Sequence, residues 1–251
     1  MPRFFLPSLD GDPITLSGPD AAHIARTLRC RPGDTLTLSD GRGTDALAEL
    51  TSVSPNRVEM RVLSRFPNRT EPRLRTYLYA ALPKSDGAEL IVQKGVEMGA
   101  AGITFFLSEF TVRRPDDYSS RLSRLNRIAR EAAGQSGRGR IPEVRGLLTF
   151  EEALREAAAC ALPLFCYEGG GEPVSALPFA GSADCAILTG PEGGFSEAEV
   201  RGAEAAGLRV CTLGPRILRC ETAPLTALAC AMFAAGEYDV SAPRICSDGG
   251  L

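Results

Sequence analysis

The stretch that decides the fold is DCAILTGPEGGFSEAEV at Asp184–Val200, followed by RVCTLGPRILRCETAPLTALACAMFAA at Arg209–Ala235. Both segments follow the same plan. A short apolar run predicts a buried strand, which breaks into a Gly/Pro loop that leads into a helix. Because ligands of α/β proteins bind at loops that follow the carboxyl ends of strands, the two loops predict a ligand site between them.

The residues around each loop support this reading. The first loop, Gly190–Gly194, is followed by Ser196 and by Glu199 three positions later, which is a capping-box signature for a helix start. The second loop, Gly214–Arg219, precedes a helix capped by one member of the pair Glu221–Thr222. Glycine allows the backbone to approach a ligand closely, and proline stiffens that approach.

The two motifs GPEGGFS and LGPRILRCETA together resemble the knotted SPOUT-type RNA methyltransferases, specifically the 16S rRNA uracil-N3 methyltransferase (RsmE-like) family. The resemblance continues through QKGVEMG at Gln93–Gly99 and EAAGQSGR at Glu131–Arg138, so it covers most of residues 75–236. Two long motifs in the same order make the match specific, whereas the Gly/Pro loops alone indicate only a ligand-binding α/β domain.

The fold class is predicted to be α/β with two domains. Residues 1–70 hold short β-rich runs separated by turn signals, which favours a small β-barrel; the resemblance implies a PUA-like RNA-binding barrel. A polar stretch with two prolines, residues 67–72, is typical of a linker. Residues 75–240 alternate strand and helix patterns, which predicts a mostly parallel sheet. The resemblance implies that this C-terminal part is a SPOUT-like methyltransferase domain with a trefoil knot.

The resemblance also implies an activity and its partners. The expected reaction is S-adenosylmethionine-dependent methylation of N3 of a specific uridine in 16S ribosomal RNA. The expected partners are 16S rRNA or the small ribosomal subunit, and the enzyme is expected to be a cytoplasmic homodimer. Two alternatives stay open: a SPOUT methyltransferase acting on a ribose 2′-oxygen, and a non-catalytic cofactor-binding module for ribosomal RNA.

With S-adenosylmethionine as the ligand, the strand ends and both loops supply the candidate cofactor-binding residues. Backbone groups there are expected to bind adenine and ribose, and a glutamate after a third strand is a further candidate. The candidates are Glu168, Leu188, Thr189, Gly190, Gly194, Leu213, Gly214, Ile217, Leu218, Arg219 and Thr222.

Methylation of N3 requires loss of the N3 proton, so the site needs a proton acceptor or a group that stabilises negative charge on the ring oxygens. Arg138 lies in a glycine-rich loop and matches the family motif, so it is the candidate for charge stabilisation. Glu131, Glu192 and Glu221 are candidate proton acceptors, and Glu131 is the one assigned with Arg138 as catalytic.

The net charge of −3 argues mildly against a nucleic-acid partner, but the charge is unevenly distributed. Between Arg113 and Arg145 there are nine arginines against four acidic residues, a local excess of +5. A helix with an arginine face leads there into a basic, flexible loop; such a face is either solvated or tracks an RNA backbone. The candidate RNA-binding residues are Arg26, Arg29, Lys84, Arg113, Arg124 and Arg138.

Several functional classes are disfavoured. The eight cysteines are scattered without a CxxC motif, and there is one histidine, so we expect reduced thiols and no metal. No apolar run approaches about 20 residues, so no membrane span is expected. The N-terminus lacks the pattern of a secretory signal, which favours a cytoplasmic protein.

Two positions depart from the family pattern. Cys220 stands where the family has threonine, and a thiol is a weaker hydrogen-bonding group than a hydroxyl. Phe110, in Ser108–Phe110, stands where the family has arginine, so Arg113 or Arg114 is expected to replace the missing RNA contact.

Overall fold

The computed structural model describes residues 3–239. They form two compact units. One unit combines the described part of Met1–Glu71 with Ala133–Ile141, and the other combines Pro72–Ala132 with the described part of Pro142–Leu251. The first unit therefore takes in residues 133–141, which the sequence analysis placed in the second domain.

The first unit is built on a five-stranded sheet. Its strands are β1 (Arg3–Phe5), β2 (Ile14–Ser17), β3 (Thr35–Ser39), β4 (Thr44–Val53) and β5 (Arg57–Pro67). The strand order is β1-β3-β4-β5-β2; β1 and β3 are parallel and the other pairs are antiparallel. Register shifts between β4 and β5 mark bulges, which increase the local twist and help the sheet to curl.

Alternating apolar side chains form the core of this unit. Leu36 and Leu38 of β3 and Val58 and Met60 of β5 are buried, as strands with one buried face require. Between β2 and β3 the chain forms α1 (Pro19–Ala22) and a π-helical turn (His23–Thr27). Arg29 follows it with a φ of 55°, a left-handed conformation that ends the helical path.

The second unit is built on a seven-stranded sheet in which every pair is parallel. Its strands are β6 (Arg75–Ala81), β7 (Ala100–Leu107), β8 (Glu143–Thr149), β9 (Leu162–Cys166), β10 (Glu172–Pro173), β11 (Asp184–Thr189) and β12 (Arg209–Thr212). The order is β10-β12-β9-β11-β6-β7-β8. The predicted parallel sheet is therefore present, whereas β8 and β10 were not expected from the sequence.

The helices are α2 (Gly87–Glu97), α3 (Ser119–Ser136), α4 (Phe150–Ala158), α5 (Glu197–Ala205) and α6 (Thr222–Ala234). α2 buries Ala88, Ile91, Val92 and Val96 on one side, which is the helical period. Both α4 and α5 begin with a complete capping box, and the predicted one at Ser196 and Glu199 is confirmed. α6 begins after Glu221, which makes no side-chain capping hydrogen bond.

Candidate active site

The strand order of the second unit brings the two Gly/Pro loops together. β9 lies between β11 and β12, and all three strands run in the same direction. Their carboxyl ends therefore meet at one edge of the sheet, where parallel α/β folds bind ligands. The loops that follow β11 and β12 and the segment after β9 all start from this edge.

A cavity of about 590 Å³ opens between these loops. A volume of this size is within the range of pockets that bury a small-molecule ligand. Most of the predicted cofactor residues line it: Glu168, Thr189, Gly190, Gly194, Leu213, Gly214, Ile217, Leu218 and Arg219. The structure thus brings three separate parts of the sequence to one concave surface.

Four of the predicted cofactor-binding and catalytic residues are not among the lining residues of this cavity. Leu188 is fully buried within β11, and Thr222 is the first residue of α6. Glu131 is exposed on α3, and Arg138 belongs to the first unit. Arg138 is 4% exposed, and its guanidinium donates to Glu71 with an Nη2–Oε2 distance of 2.6 Å.

The first loop is held in place by a tight turn and by a buried aromatic ring. Gly194 has a φ of 70°, and its N–H donates to the carbonyl of Pro191 at 3.0 Å. Phe195 then enters the core, with its ring centroid 4.3 Å from that of Phe165. A Cβ built on Gly194 would lie 1.9 Å from Glu168 Oε1, so glycine is required for this approach.

The second loop is more open. Gly214 has a φ of 101°, and its N–H donates to Thr212 Oγ1 at 3.3 Å. The carbonyl of Arg219 accepts the N–H groups of Thr222 and Ala223, which fixes the junction with α6. Between these points Ile217 is 79% exposed, so this loop presents an apolar side chain to solvent.

The side chains of Thr189 and Cys220 at the cavity affect which ligand groups it can bind. Thr189 is 1% exposed, and its Oγ1 has no hydrogen-bond partner within residues 3–239. A buried hydroxyl without a partner is uncommon and is consistent with a ligand that supplies one. Cys220 donates its thiol to Glu221 Oε2 at 3.2 Å, and burial, together with that carboxylate, raises the pKa of the thiol. Cys220 is therefore a neutral thiol at physiological pH.

Phe110, which stands at the position where the family pattern has arginine, contacts the first loop. A Cβ built on Gly193 would lie 2.9 Å from the Cβ of Phe110. The neighbouring Glu109 donates its N–H to Glu199 Oε1 at 2.9 Å, which links this segment to the cap of α5. Arg114 donates to the carbonyls of Ser108 and Glu109, and Arg113 is exposed.

Sequence reasoning missed some of the cavity. Ser85 and Tyr167 line it and were not candidates. Ser85 lies in the loop after β6, which pairs directly with β11. The sequence does indicate a loop at Pro83–Gly87, because this segment follows a strand pattern. It does not show that this loop lies at the cavity, because that depends on the order of the strands in the sheet. Glu192, considered only as a proton acceptor, also lines the cavity and accepts the N–H of Lys84 at 2.8 Å.

The predicted RNA-binding residues differ in their environments. Arg26, Arg29, Lys84 and Arg113 are exposed. Arg124 is also exposed and pairs with Glu89 at 3.0 Å. Arg138 is buried as described above. Within the described chain, no group of three or more His, Cys, Asp and Glu side chains is placed to hold a metal ion, and no helix combines the length and apolarity that crossing a membrane requires.

Comparison with protein families identifies both parts of the chain. Residues 70–232 match the RNA methyltransferase domain, and residues 16–63 match the RNA methyltransferase PUA domain. The first match alone spans more than half of the chain. The chain belongs to the RNA methyltransferase family. The family prediction is therefore confirmed, and the PUA match agrees with the barrel expected in the first unit.

Relatives of this RNA methyltransferase agree with the assignment. Ribosomal RNA small subunit methyltransferase E of Bacillus subtilis is 36% identical over 227 residues, which cover 86% of this chain and 88% of the relative. The Mycobacterium tuberculosis protein of the same name is 31% identical over 240 residues, covering 92% and 90%.

Solved structures extend the comparison to the fold. Ribosomal RNA small subunit methyltransferase E of Neisseria gonorrhoeae, solved bound to S-adenosyl methionine, is 32% identical with a TM-score of 0.81. The match covers 93% of this chain and 97% of that one. The predicted fold is confirmed: this RNA methyltransferase combines a SPOUT-like α/β domain on a parallel sheet with an N-terminal PUA-like sheet.

Proposed function

We propose that the protein transfers the methyl group of S-adenosylmethionine to N3 of a uridine in 16S ribosomal RNA. The observation that carries this proposal is the cavity between the two Gly/Pro loops, in a chain that belongs to the RNA methyltransferase family. The relative from Neisseria gonorrhoeae, which has S-adenosyl methionine bound, supports the same cofactor here.

The cavity residues fit such a donor. Thr189 Oγ1 offers a buried hydroxyl without a partner in the described chain, and the absence of a Cβ at Gly194 lets the carboxylate of Glu168 lie against the first loop at the cavity wall. We assign the donor to the loops after β11 and β12, with Glu168 after β9 as a third contact. When bound, S-adenosylmethionine supplies a methyl group activated by its sulfonium. The protein has to hold the two reactants in line and exclude water.

The proton at N3 has to be transferred before or during methylation. Glu192 and Glu221 line the cavity, and we propose them as proton acceptors alongside Glu131, which is exposed on α3. The charge-stabilising role of Arg138 stays a prediction. Its guanidinium is engaged by Glu71, so a direct role requires that this pair opens or that the loop carrying it acts through a neighbouring residue.

We also propose the homodimer and the cytoplasmic location that the resemblance implies. α6 is apolar on all sides, yet only part of it is buried: Phe233 is 73% exposed, and Ile217 in the preceding loop is 79% exposed. Large exposed apolar side chains next to a ligand cavity are typical of an interface. A second copy of the chain would cover this face and complete the wall beside the second loop.

The activity is tested with labelled S-adenosylmethionine and small ribosomal subunits from cells that lack this gene. We expect about one methyl group per subunit, recovered as 3-methyluridine after nucleoside digestion and mass spectrometry. Subunits from cells that retain the gene are the matched control and should accept little label. Recovery of a 2′-O-methyl nucleoside would favour the alternative acceptor, and absence of label would show that the protein is not an enzyme for this substrate.

The dimer is tested by Phe233→Asp. A charge placed in an apolar interface is expected to weaken the dimer by at least about tenfold, since buried aromatic anchors carry much of an interface's energy. Light scattering after size exclusion should give a dimer for the unaltered protein and a monomer for the variant. Val112→Asp, at a position that is 63% exposed and lies outside α6, is the control and should stay dimeric. A dimeric F233D protein would place the interface elsewhere.

A further inference from the structure

Three exposed arginines of the first unit lie on segments that are joined to one another. Arg42 is in the turn between β3 and β4, Arg69 follows β5, and Arg140 is in the loop after α3. Arg42 and Arg140 form an isolated antiparallel bridge. Arg140 lies in the basic loop that the sequence analysis considered as a possible contact to an RNA backbone, whereas Arg42 and Arg69 were not candidates.

Gly43 joins the three segments at one point. Its N–H donates to the carbonyl of Gly139 at 3.1 Å, and its carbonyl accepts the N–H of Asn68 at 2.8 Å. A Cβ built on Gly43 would lie 3.7 Å from Nη2 of Arg140, so the guanidinium of Arg140 rests beside this backbone. A Cβ built on Gly139 would lie 2.3 Å from Cγ of Asn68, which leaves no space between those two segments.

Glu71 fixes the loop that carries Arg140. Its carboxylate accepts the N–H groups of Gly139 and Arg140 at 3.0 and 3.1 Å and also pairs with the buried Arg138. Thr70 Oγ1 donates to the carbonyl of Gly137 at 2.8 Å. The loop that the sequence suggested to be flexible is therefore held by several hydrogen bonds, and Arg140 leaves it from a defined backbone position.

The acidic side chains of these segments are already engaged in ion pairs or hydrogen bonds within the first unit. Asp45 pairs with the partly buried Arg3 and accepts from Asn68, and Glu71 pairs with Arg138. Asp40 accepts the backbone N–H groups of Arg42 and Thr44. By contrast, Arg42, Arg69 and Arg140 make no ion pair with any residue between 3 and 239. Three guanidinium groups therefore remain available on a rigid support.

We propose that Arg42, Arg69 and Arg140 form a phosphate-binding surface that contacts the RNA backbone of the substrate. The planar guanidinium donates in pairs to phosphate oxygens, and adjacent arginines match the regular charge of a nucleic-acid strand. Because the backbone is already ordered, little conformational entropy is lost on binding. The proposal rests on the proposed function, since it assigns part of the recognition of ribosomal RNA to this surface.

The test compares two double variants that remove the same charge. R42A/R140A removes two of the three proposed contacts. R57A/R61A removes two exposed arginines of the same unit that are paired with Glu59 and Glu49. Binding of purified 16S rRNA from cells lacking the gene is measured from 50 to 200 mM salt. We expect R42A/R140A to bind about tenfold more weakly and to lower the slope of log affinity against log salt by about 1 to 2, following counterion release.

The control R57A/R61A should change both quantities little, and R42K/R140K should restore most of the salt slope. If R42A/R140A and R57A/R61A changed the affinity and the salt slope equally, the proposed phosphate-binding surface would be refuted. Weaker binding of R42A/R140A to assembled subunits but not to free rRNA would indicate a protein partner and would also overturn it. The proposed function is judged separately, by methyl transfer from the unaltered protein. If that protein methylates rRNA while the two double variants bind alike, only the surface is refuted.

Discussion

Replacing Glu71 with alanine is expected to lower the free energy of unfolding by about 3–5 kcal/mol, the usual cost of removing one partner of a buried ion pair. Arg138, whose side chain is 5% exposed, would lose its carboxylate, and the N–H groups of Gly139 and Arg140 would lose their acceptor. Buried donors without partners add to the penalty.

Denaturant unfolding of the full chain measures this effect, with amide hydrogen exchange at Gly139 and Arg140 as a local reading. Glu59→Ala is the matched control, because it breaks an exposed ion pair with Arg57 and should cost less than about 1 kcal/mol. The double variant E71A/R138M should recover part of the loss, since it removes the buried guanidinium that had paired with Glu71. A cost for E71A as small as that for E59A would mean that the pair does not hold the loop.

Gly194→Ala is expected to weaken binding of S-adenosylmethionine by about 1.5–3 kcal/mol, the value of a hydrogen bond to a charged group, which is roughly 10- to 150-fold in affinity. The added methyl would lie 1.9 Å from Glu168 Oε1, so this carboxylate has to leave its place in the cavity wall. Titration calorimetry with S-adenosylmethionine measures the loss directly.

The control variant Gly207→Ala distinguishes the effect of the contact with Glu168 on cofactor affinity from the effect of backbone strain on stability. Gly207 has a φ of 87°, close to the 70° of Gly194, but no atom lies within 4 Å of its added Cβ. Both variants should lose about 1–2 kcal/mol of stability from the left-handed conformation, whereas only G194A should lose affinity. Unchanged affinity in G194A would place the donor away from Glu168 and would contradict the assignment of the first loop.

The elements that build the cavity were readable from the sequence. β9, β11 and β12 are short apolar runs that break at glycine-containing loops, and the cap at Ser196 is a local pattern, so each carries its own signal. β8 was missed for a physical reason. It is an edge strand in which only Val144 is fully buried, and Gly146 interrupts its apolar residues.

The contacts of the candidate site residues were less predictable. The segment ending in Glu71 reads as a polar linker, and its partner Arg138 lies 67 residues further along. No periodicity links two such positions. The exposed arginines at 42 and 69 carry no local signal either, because arginine is frequent throughout the chain. Arg140 lies in the basic loop, but the sequence does not show that the other two lie beside it. Which arginines are paired and which are available depends on the tertiary structure alone.

The position of β11 in the sheet has a consequence for synthesis of the protein. β6 pairs with β11 on one side, and Asp184, which begins β11, is 109 residues beyond Arg75. At about 5–20 residues per second on the ribosome, that side of β6 waits roughly 5–20 s for its partner. A nascent chain that stops before Asp184 would carry an open hydrogen-bonding edge, and such truncated products are expected to aggregate.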